Sequence, residues 1–320
     1  MRLVLLALSL FTVGCASSPP LAPEANAPWP AERLDSELQS AVENLARGFR
    51  GRVGVYVRHL PSGRSAALRA DSLFPTASMI KVPILVATME AIHRGDLAWD
   101  EPLVFRDSLR YDDHGLIGLL RDSARIELHV AAEAMLSASD NNASLWLQSL
   151  SGGGARINEI LAARGYTGTR MNSRTDGRRV DWERYGWGQT TPREMSRLVR
   201  EIVDRDVDIV SPQADERMHR ALTRTFWDGE ALSAIPPGVQ VASKQGAVSA
   251  SRSEVLYVHA PSGPYVFTVI TDAQEDQSWG ADNEGFVLLR ELSALFWRTF
   301  EPESRWRSAS DGTFELEQVE

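Results

Sequence analysis

Apolar and polar residues alternate with a period of two in five short segments, two near the start of the chain and three near its end. This period predicts strands, because successive side chains of a strand point to opposite faces of a sheet. Turn residues at 61–63 separate the first two segments, and those at 261–264 separate the last two, as in hairpins. The predicted strands are residues 53–58, 65–70, 239–243, 255–260 and 265–271.

Apolar residues follow the three- and four-residue spacing of helices from residue 78 to about 225. Further helices are predicted over residues 31–47 and 283–300. This order predicts an α/β fold, an α+β sandwich in which five strands from both chain ends form one antiparallel sheet flanked by helices, with an inserted all-helical lobe. The predicted units are an α/β lobe over residues 31–77 and 226–300, a helical lobe over residues 78–225 and a polar tail over residues 301–320.

The first residues have the pattern of an export signal. Residues 3–13 are apolar but too few to span a bilayer comfortably. Small residues then precede Cys15, the only cysteine, as at a bacterial lipoprotein cleavage site. We therefore expect a signal peptide over residues 1–14, a lipid anchor at Cys15, a flexible tether over residues 15–30 and a periplasmic location on a bacterial membrane. General secretion with cleavage a few residues away is the alternative.

Composition narrows the possible functions. Hydrophobic residues make up 43% of the chain and charged residues 24%, which is enough for a sizeable core. The net charge of −9 argues against nucleic acid as a partner. Six histidines are scattered without metal-ligand spacing, so we expect neither metal nor cofactor, and we expect a monomer.

Lysine is almost absent, since only Lys81 and Lys244 among 34 Lys and Arg residues are lysine. Arginine cannot release its proton in a protein, whereas burial and neighbouring groups can tune lysine until it accepts one. The two lysines therefore indicate two positions that need an amine. An arginine-biased composition that happens to retain two lysines is the alternative.

Lys81 ends the segment Ser78-Met79-Ile80-Lys81, directly before apolar residues at helical spacing. This places Ser78 at a helix N-terminus and Lys81 one turn later on the same face. An uncharged amine there can take the hydroxyl proton, while the helix start favours negative charge near Ser78. Taken alone, the segment fits equally well a helix-capping serine and a solvated lysine.

Two further motifs carry polar groups suited to the same cleft. Ser139-Asp140-Asn141 is predicted as a turn between two packed helices, although alone it is an ordinary turn. Lys244-Gln245-Gly246 follows the predicted strand 239–243. Gly246 permits a close approach to the backbone, and the amide of Ala247 is expected to pair with that of Ser78 as an oxyanion hole.

The ordered trio S-x-x-K, S-D-N and K-x-G resembles the class A β-lactamase superfamily, which includes penicillin-binding proteins. The resemblance covers roughly residues 51–300, and it includes the capping-box segment Thr191-Pro192-Arg193-Glu194. It implies that Ser78 is the acylated nucleophile and that Lys81 is its base.

The resemblance also assigns roles to the other motifs. It implies that Ser139 passes a proton toward the leaving nitrogen, that Asn141 contacts the substrate and that Lys244 anchors a substrate carboxylate. Arg252, on the strand after Lys244, is expected to help bind that carboxylate.

Two departures from the family pattern affect the expected chemistry. In class A β-lactamases an omega-loop glutamate activates the water that removes the acyl group, and the family spacing places it at Thr175, which is no general base. Asp176, Asp181 or Glu183 could replace it if the loop is rerouted, and otherwise these are solvated loop acids. Gln245 stands where the family has threonine or serine, and it is longer although it can still hydrogen-bond a carboxylate.

These observations predict a serine hydrolase that forms an acyl-enzyme on Ser78 and resembles β-lactamases without the omega-loop glutamate. Its substrate is expected to be a β-lactam, hydrolysed slowly, or a related acyl compound. A D-alanyl-D-alanine peptidase or penicillin-binding protein, acting on peptidoglycan-derived peptide, and an esterase are alternatives with the same residues. A non-catalytic β-lactam- or peptidoglycan-binding lipoprotein is an alternative from another class.

Overall fold

The computed structural model describes residues 29–112, 114–205 and 208–307, so the predicted signal peptide and Cys15 lie outside the described residues. Strands β1 to β11 are Arg33–Leu34, Arg52–His59, Arg64–Leu68, Phe74–Pro75, Pro102–Val104, Arg125–Glu127, Arg170–Met171, Gly188–Thr190, Val241–Val248, Ser251–Val258 and Tyr265–Asp272. Helices α1 to α10 are Ser36–Ala46, Lys81–His93, Gly115–Gly118, Leu128–Ser137, Asn141–Leu150, Gly153–Ala163, Arg179–Tyr185, Pro192–Asp204, Pro212–Leu222 and Glu284–Phe300. Short 3-10 helices cover Ala77–Ile80, Asp107–Leu109 and Ala231–Ala234.

The main sheet joins the two ends of the chain in the order β1-β3-β2-β11-β10-β9. Its five predicted strands pair antiparallel, which confirms the predicted sheet. The short strand β1 adds a sixth member that runs parallel to β3. Strand β9 extends to Val248, so Lys244, Gln245 and Gly246 lie inside a strand rather than beyond its end.

Helices cover both faces of this sheet. Helices α1 and α10 pack on one face, where Leu289, Leu292 and Phe296 of α10 contribute to an apolar core. Helix α8 crosses the other face against β2, β10 and β11. Side chains on that face, such as Val255 and Ile270, belong to the core of the helical lobe, so the two lobes share one packed interface.

Helix α8 begins at the predicted capping segment. The Thr191 side chain accepts a hydrogen bond from the Glu194 amide, and Pro192 occupies the first turn, where a missing N–H costs little. The Glu194 carboxylate accepts the amides of residues 167–169. Glu194 thus fastens the loop before β7 to the start of α8.

Helix α2 lies at the centre of the helical lobe, and ten of its 13 residues are buried. It packs against α4, α5, α6 and α9. The lobe is not all-helical as predicted, because β5 pairs with β6 and β8 pairs with both β4 and β7. The Thr76 amide donates to the carbonyl of Gly188, which ties the segment before Ser78 to β8.

Both described ends of the chain pack on the folded body. Trp29, predicted to lie in the tether, donates from its indole nitrogen to Asp204 at 2.7 Å. Trp306, predicted to lie in a polar tail, donates to the carbonyl of Ala234 at 3.2 Å and packs on the α10 side of the sheet. Within residues 29–307, apart from the three that are not described, no helix is long and apolar enough to cross a membrane.

Candidate active site

Ser78 lies in the 3-10 turn that leads into α2, one turn before Lys81. The preceding Ala77 has a φ of 43°, a left-handed conformation that is strained for a residue with a side chain and that occurs often at functional sites. Strand β9 approaches this turn closely, because a methyl group at Gly246 would lie 2.8 Å from both the Ser78 amide nitrogen and the Thr76 carbonyl oxygen. Glycine is therefore required at position 246 for this approach.

The Lys81 amine lies at the centre of the site. Its Nζ is 3.0 Å from each of Ser78 Oγ, Ser139 Oγ and Asn141 Oδ1, and 2.5 Å from the carbonyl oxygen of Ser139. These four oxygens exceed the three hydrogens of an ammonium group. When the amine is neutral, a serine hydroxyl can donate to its lone pair, which is the geometry for removing the Ser78 proton.

The environment of Lys81 favours this neutral form. The side chain is fully buried, and burial lowers the pKa of Lys81 to about 7, while the carboxylates of Asp140 and Asp112 act in the opposite direction. A substantial fraction of the amine is therefore neutral near pH 7. A general base with a pKa near the working pH is well matched to its task.

Ser139 is held between the two lysines by the turn that joins α4 to α5. It has a φ of 60°, and its Oγ lies 3.0 Å from Lys81 Nζ and 3.1 Å from Lys244 Nζ. The next residue, Asp140, caps α5 by accepting the Ala143 amide at 2.8 Å, and it also accepts the Ile117 amide. The predicted turn between two helices is thus observed, and its hydroxyl can pass a proton between two amines.

Lys244 is also fully buried. Its Nζ is 3.1 Å from Ser139 Oγ and 2.9 Å from the Gln245 carbonyl oxygen, and it contacts Gln245 Oε1. Burial, reinforced by the nearby Lys81, lowers the pKa of Lys244 well below its usual value, while Glu230 and Glu254 act in the opposite direction. The structure therefore brings together the predicted residues Ser78, Lys81, Ser139, Asn141, Lys244, Gln245 and Gly246.

Ala247 follows Gly246 on β9, next to the Ser78 turn. Because Gly246 lies close to the Ser78 amide, β9 runs next to the place where an oxyanion hole would need a second amide. The pairing of the Ser78 and Ala247 amides in an oxyanion hole remains a prediction.

Arg252 does not line this site, which corrects the expectation that it helps to bind a substrate carboxylate. It pairs in register with Ala247, whereas Lys244 and Gly246 are on the opposite face of β9. Its guanidinium lies 4.5 Å from the ring centres of Trp279 and Phe286, and it donates to the carbonyl of Ser278 at 2.6 Å. Arg252 therefore contributes to packing behind the sheet.

The acidic residues considered as deacylation bases have other contacts. Asp181 forms an ion pair with Arg178 at 3.0 Å, Glu183 forms one with Arg179 at 3.0 Å, and Asp176 is exposed. Among the described residues, no hydrogen bond connects any of the three acids to Ser78 or Lys81. These contacts fit the interpretation that they are solvated loop acids.

Thr175, at the position of the family's glutamate, packs against helix α6. Its Oγ1 donates to the Ser173 carbonyl at 3.0 Å, and it occupies the space in which a side chain at Gly154 would point. A hydroxyl in this arrangement offers no basic group for activating water.

Asp112 is a site residue that the sequence analysis missed. Its Oδ2 accepts from Asn141 Nδ2 at 3.4 Å, and its Oδ1 accepts from Asn142 Nδ2 at 3.0 Å. It thereby orients the Asn141 amide, whose other end accepts from Lys81. No recognisable spacing connects Asp112 to the three motifs, so only the folded chain reveals its role.

Comparisons with known proteins identify the family of this chain. Residues 37–300 match the β-lactamase enzyme family. A β-lactamase from Streptomyces albus G is 28% identical over 268 residues, covering 79% of this chain and 82% of that protein. A β-lactamase from Streptomyces fradiae is 25% identical over 306 residues, covering 92% of this chain and 95% of that protein.

Solved structures show the same fold. The structure of PBP-A has a TM-score of 0.76 and 26% identity, covering 86% of this chain and 99% of that one. A β-lactamase from Sphaerobacter thermophilus has a TM-score of 0.71 and 21% identity, covering 83% of this chain and 97% of that one. Since the family match spans most of the chain and the catalytic motifs meet in one cleft, this protein belongs to the β-lactamase enzyme family.

Proposed function

We propose that this protein is a serine hydrolase that opens β-lactam amides and related acyl compounds through an acyl-enzyme on Ser78. The supporting observation is the position of a buried amine with a pKa of about 7, whose Nζ is 3.0 Å from both Ser78 Oγ and Ser139 Oγ. A variant of PBP-A with 26% identity to this chain has been solved as an acyl-enzyme complex with penicillin G. That complex supports a β-lactam as the acyl donor here.

Acylation follows from the positions of the side chains. Neutral Lys81 takes the Ser78 proton while Oγ forms a bond to the carbonyl carbon, and the oxyanion binds at the amides of Ser78 and Ala247. Ser139 then donates its proton to the leaving nitrogen and receives the proton held by Lys81. The carbon–nitrogen bond breaks, and the acyl group remains as an ester on Ser78.

Deacylation has less support from the described side chains. It needs a water molecule and a base, and general-base assistance typically contributes about 10²–10⁴-fold to a rate. Because Thr175 supplies no base, we expect the penicillin-derived ester to persist much longer than it would in an enzyme with a glutamate there. A second candidate, a penicillin-binding D-alanyl-D-alanine peptidase, is favoured by this feature, and an esterase would tolerate it because its acyl groups are more labile.

The non-catalytic alternative is weaker. A protein that only binds its ligand would not need a buried, neutral lysine within hydrogen-bond distance of two serine hydroxyls. Burial of an amine costs free energy, so its presence here indicates a catalytic role.

Incubation of the purified protein with fluorescent penicillin and then with nitrocefin distinguishes the candidates, with intact mass reporting the covalent adduct. Persistent labelling with little colour change supports the penicillin-binding candidate, and transient labelling with colour change supports a β-lactamase. Hydrolysis of short-chain esters without labelling supports an esterase. Retention of all three activities by Ser78→Ala would contradict the proposal.

We also propose that the protein is exported and anchored by a lipid on Cys15, as the sequence pattern of its first residues suggests. Substitution of Cys15 by serine should then release the protein from the membrane fraction of the producing cells. An unchanged membrane fraction would contradict the anchor.

A further inference from the structure

The amine of Lys244 is surrounded by acceptors from its own chain. Its Nζ donates hydrogen bonds to Ser139 Oγ, the Gln245 carbonyl oxygen and Gln245 Oε1. An ammonium group has three hydrogens and a neutral amine has two, so these contacts use the full donor capacity of either form. A substrate carboxylate can reach this amine only by displacing one of them.

Of the three acceptors, Gln245 Oε1 belongs to a long side chain, whereas the Gln245 carbonyl is fixed in β9 and Ser139 Oγ is also held by Lys81. Strand β9 is an edge strand of the main sheet, so a side chain that starts on the far face can bend around the edge to reach Lys244. In register Gln245 lies opposite Glu254, which confirms that it starts on the face away from the cleft. Gln245 is only 6% exposed, so its amide is held in place rather than extended into solvent.

The amide of Gln245 has a second end. Its Oε1 contacts Lys244, whereas its Nε2 hydrogen-bonds none of the described residues and is not among the buried atoms without a partner. The site therefore presents a neutral N–H donor on the same amide whose oxygen contacts Lys244. Nor does Arg252 add a positive charge to the cleft, because its guanidinium lies behind the sheet between Trp279 and Phe286.

We infer that Gln245 occupies the anion-binding position of Lys244 and thereby selects acyl substrates whose group at this position is an uncharged hydrogen-bond acceptor over those with a free carboxylate. A carboxamide or ester carbonyl accepts from Gln245 Nε2 without disturbing the contact with Lys244. A carboxylate can bind the Lys244 amine only after it displaces Gln245 Oε1 from that amine. This inference rests on the proposed acyl transfer to Ser78 and specifies its substrate class.

A matched pair of thioesters tests this selection. N-benzoylglycyl thioglycolate ends in a free carboxylate, its carboxamide ends in a neutral group, and both release a thiol when Ser78 is acylated. The carboxylate-to-carboxamide ratio of kcat/KM should lie below one in the wild-type protein, by about threefold or more. In Gln245→Thr the ratio should rise by about tenfold or more, the usual size of one hydrogen bond to a charged group.

A second variant and a control complete the test. Gln245→Glu adds a negative charge at the same position and should lower the ratio below that of the wild type. Gln240→Thr, at an exposed position just before β9, should leave the ratio unchanged. Melting temperatures of all variants report whether the fold is retained.

The failures of the inference and of the proposed function have different signatures. A wild-type ratio of one or more, or an unchanged ratio in a folded Gln245→Thr variant, would overturn the inference alone. Thiol release that Ser78→Ala does not reduce, or no release from either thioester, would overturn the proposed function and the inference with it.

Discussion

Lys81 and Lys244 occupy positions that arginine could not fill in the same way. A guanidinium keeps its proton in a protein, whereas both buried amines have a pKa below the usual value for lysine. Both also lie within 3.1 Å of Ser139 Oγ, so the two lysines of the chain meet at one hydroxyl. The interpretation that each lysine marks a position requiring an amine is therefore supported by the geometry.

The rate of Ser78 acylation should follow the neutral fraction of Lys81. Because burial lowers the pKa of Lys81 to about 7, the rate is expected to level off above that pH and to fall about tenfold for each unit below it. Labelling rates with fluorescent penicillin between about pH 5 and 9 measure this dependence. A rate that stays constant across the acidic half of this range would contradict Lys81 as the base.

Asp112 should influence the same profile through its charge. Its carboxylate raises the pKa of Lys81, so Asp112→Asn is expected to move the acidic limb of the labelling profile to lower pH. A shift of the acidic limb to lower pH would show an effect of charge. A variant with a distorted site would instead label more slowly at every pH, without a shift of the limb. Asp100→Asn, which changes an exposed carboxylate outside these contacts, is the matched control.

Asn141 and Asp112 illustrate what the sequence could and could not predict about single residues. Asn141 belongs to a motif of fixed spacing, and its place in the site was implied by the resemblance to class A β-lactamases. Asp112 comes from a separate loop, and its contact with Asn141 exists only because Asn142 holds that loop against α5. No local pattern encodes such a contact between distant segments.

At the scale of elements, the contact between β9 and the turn that carries Ser78 depends on one missing side chain. Gly246→Ala would place a methyl group 2.8 Å from the Ser78 amide nitrogen, the Thr76 carbonyl oxygen and Ser253 Oγ. Overpacking of this kind typically costs about 1–3 kcal/mol. If the displaced Ser78 amide binds the oxyanion as we propose, the acylation rate should fall by about 10²-fold or more.

Gly48→Ala provides the control for this prediction, because a methyl group at that position would have no atom within 4 Å. Urea unfolding and penicillin labelling of the two variants measure both effects. If Gly246→Ala labels Ser78 as fast as Gly48→Ala does, then the close approach of β9 has no catalytic importance.

The five antiparallel strands of the main sheet were predicted correctly, but their boundaries were predicted less well, and β10 shows why. The strand begins at Ser251, but the apolar pattern suggested a start at residue 255. Residues 251–254 are polar yet fully buried, since Arg252 stacks between two rings and Ser253 donates to the Gly246 carbonyl. Alternation of apolar and polar residues cannot reveal a strand whose buried positions carry polar side chains.

At the scale of the whole molecule, the sequence predicted that strands from both chain ends form one sheet and that a helical unit is inserted between them. It did not predict which face of β10 Arg252 would occupy, because a shift of one residue in register moves a side chain to the other face. The burial of Trp306 was also missed, because a single apolar residue in a polar segment carries no periodicity.

Behind the cleft, Glu230 and Glu254 should make the stability of the whole protein depend on pH. Glu254 is fully buried in the sheet, and burial raises the pKa of Glu254 well above its usual value, with Glu230 adding to the effect. Burial also raises the pKa of Glu230 to about 7. The folded protein therefore holds protons that the unfolded chain releases above about pH 4.5.

The two glutamates should consequently stabilise the protein less as the pH rises. Their contribution is greatest below the unfolded-state pKa of a glutamate and should fall by about 1–3 kcal/mol between about pH 5 and 8, whereas the lowered pKa of Lys81 and of Lys244 acts in the opposite direction in the wild type and the variant alike. Glu254→Gln removes one of the two acids and lessens the repulsion felt by the other. Its unfolding free energy, measured in urea at both pH values, should therefore decline less than that of the wild type.

Glu303→Gln, at an exposed position, is the matched control and should keep the wild-type dependence on pH. Glu254→Gln and this control could lose the same amount of stability between the two pH values. That result would show that both carboxyl groups ionise in the wild type without destabilising the folded protein. Two ionised carboxylates would then raise the pKa of the Lys244 amine in front of them more than their neutral forms do.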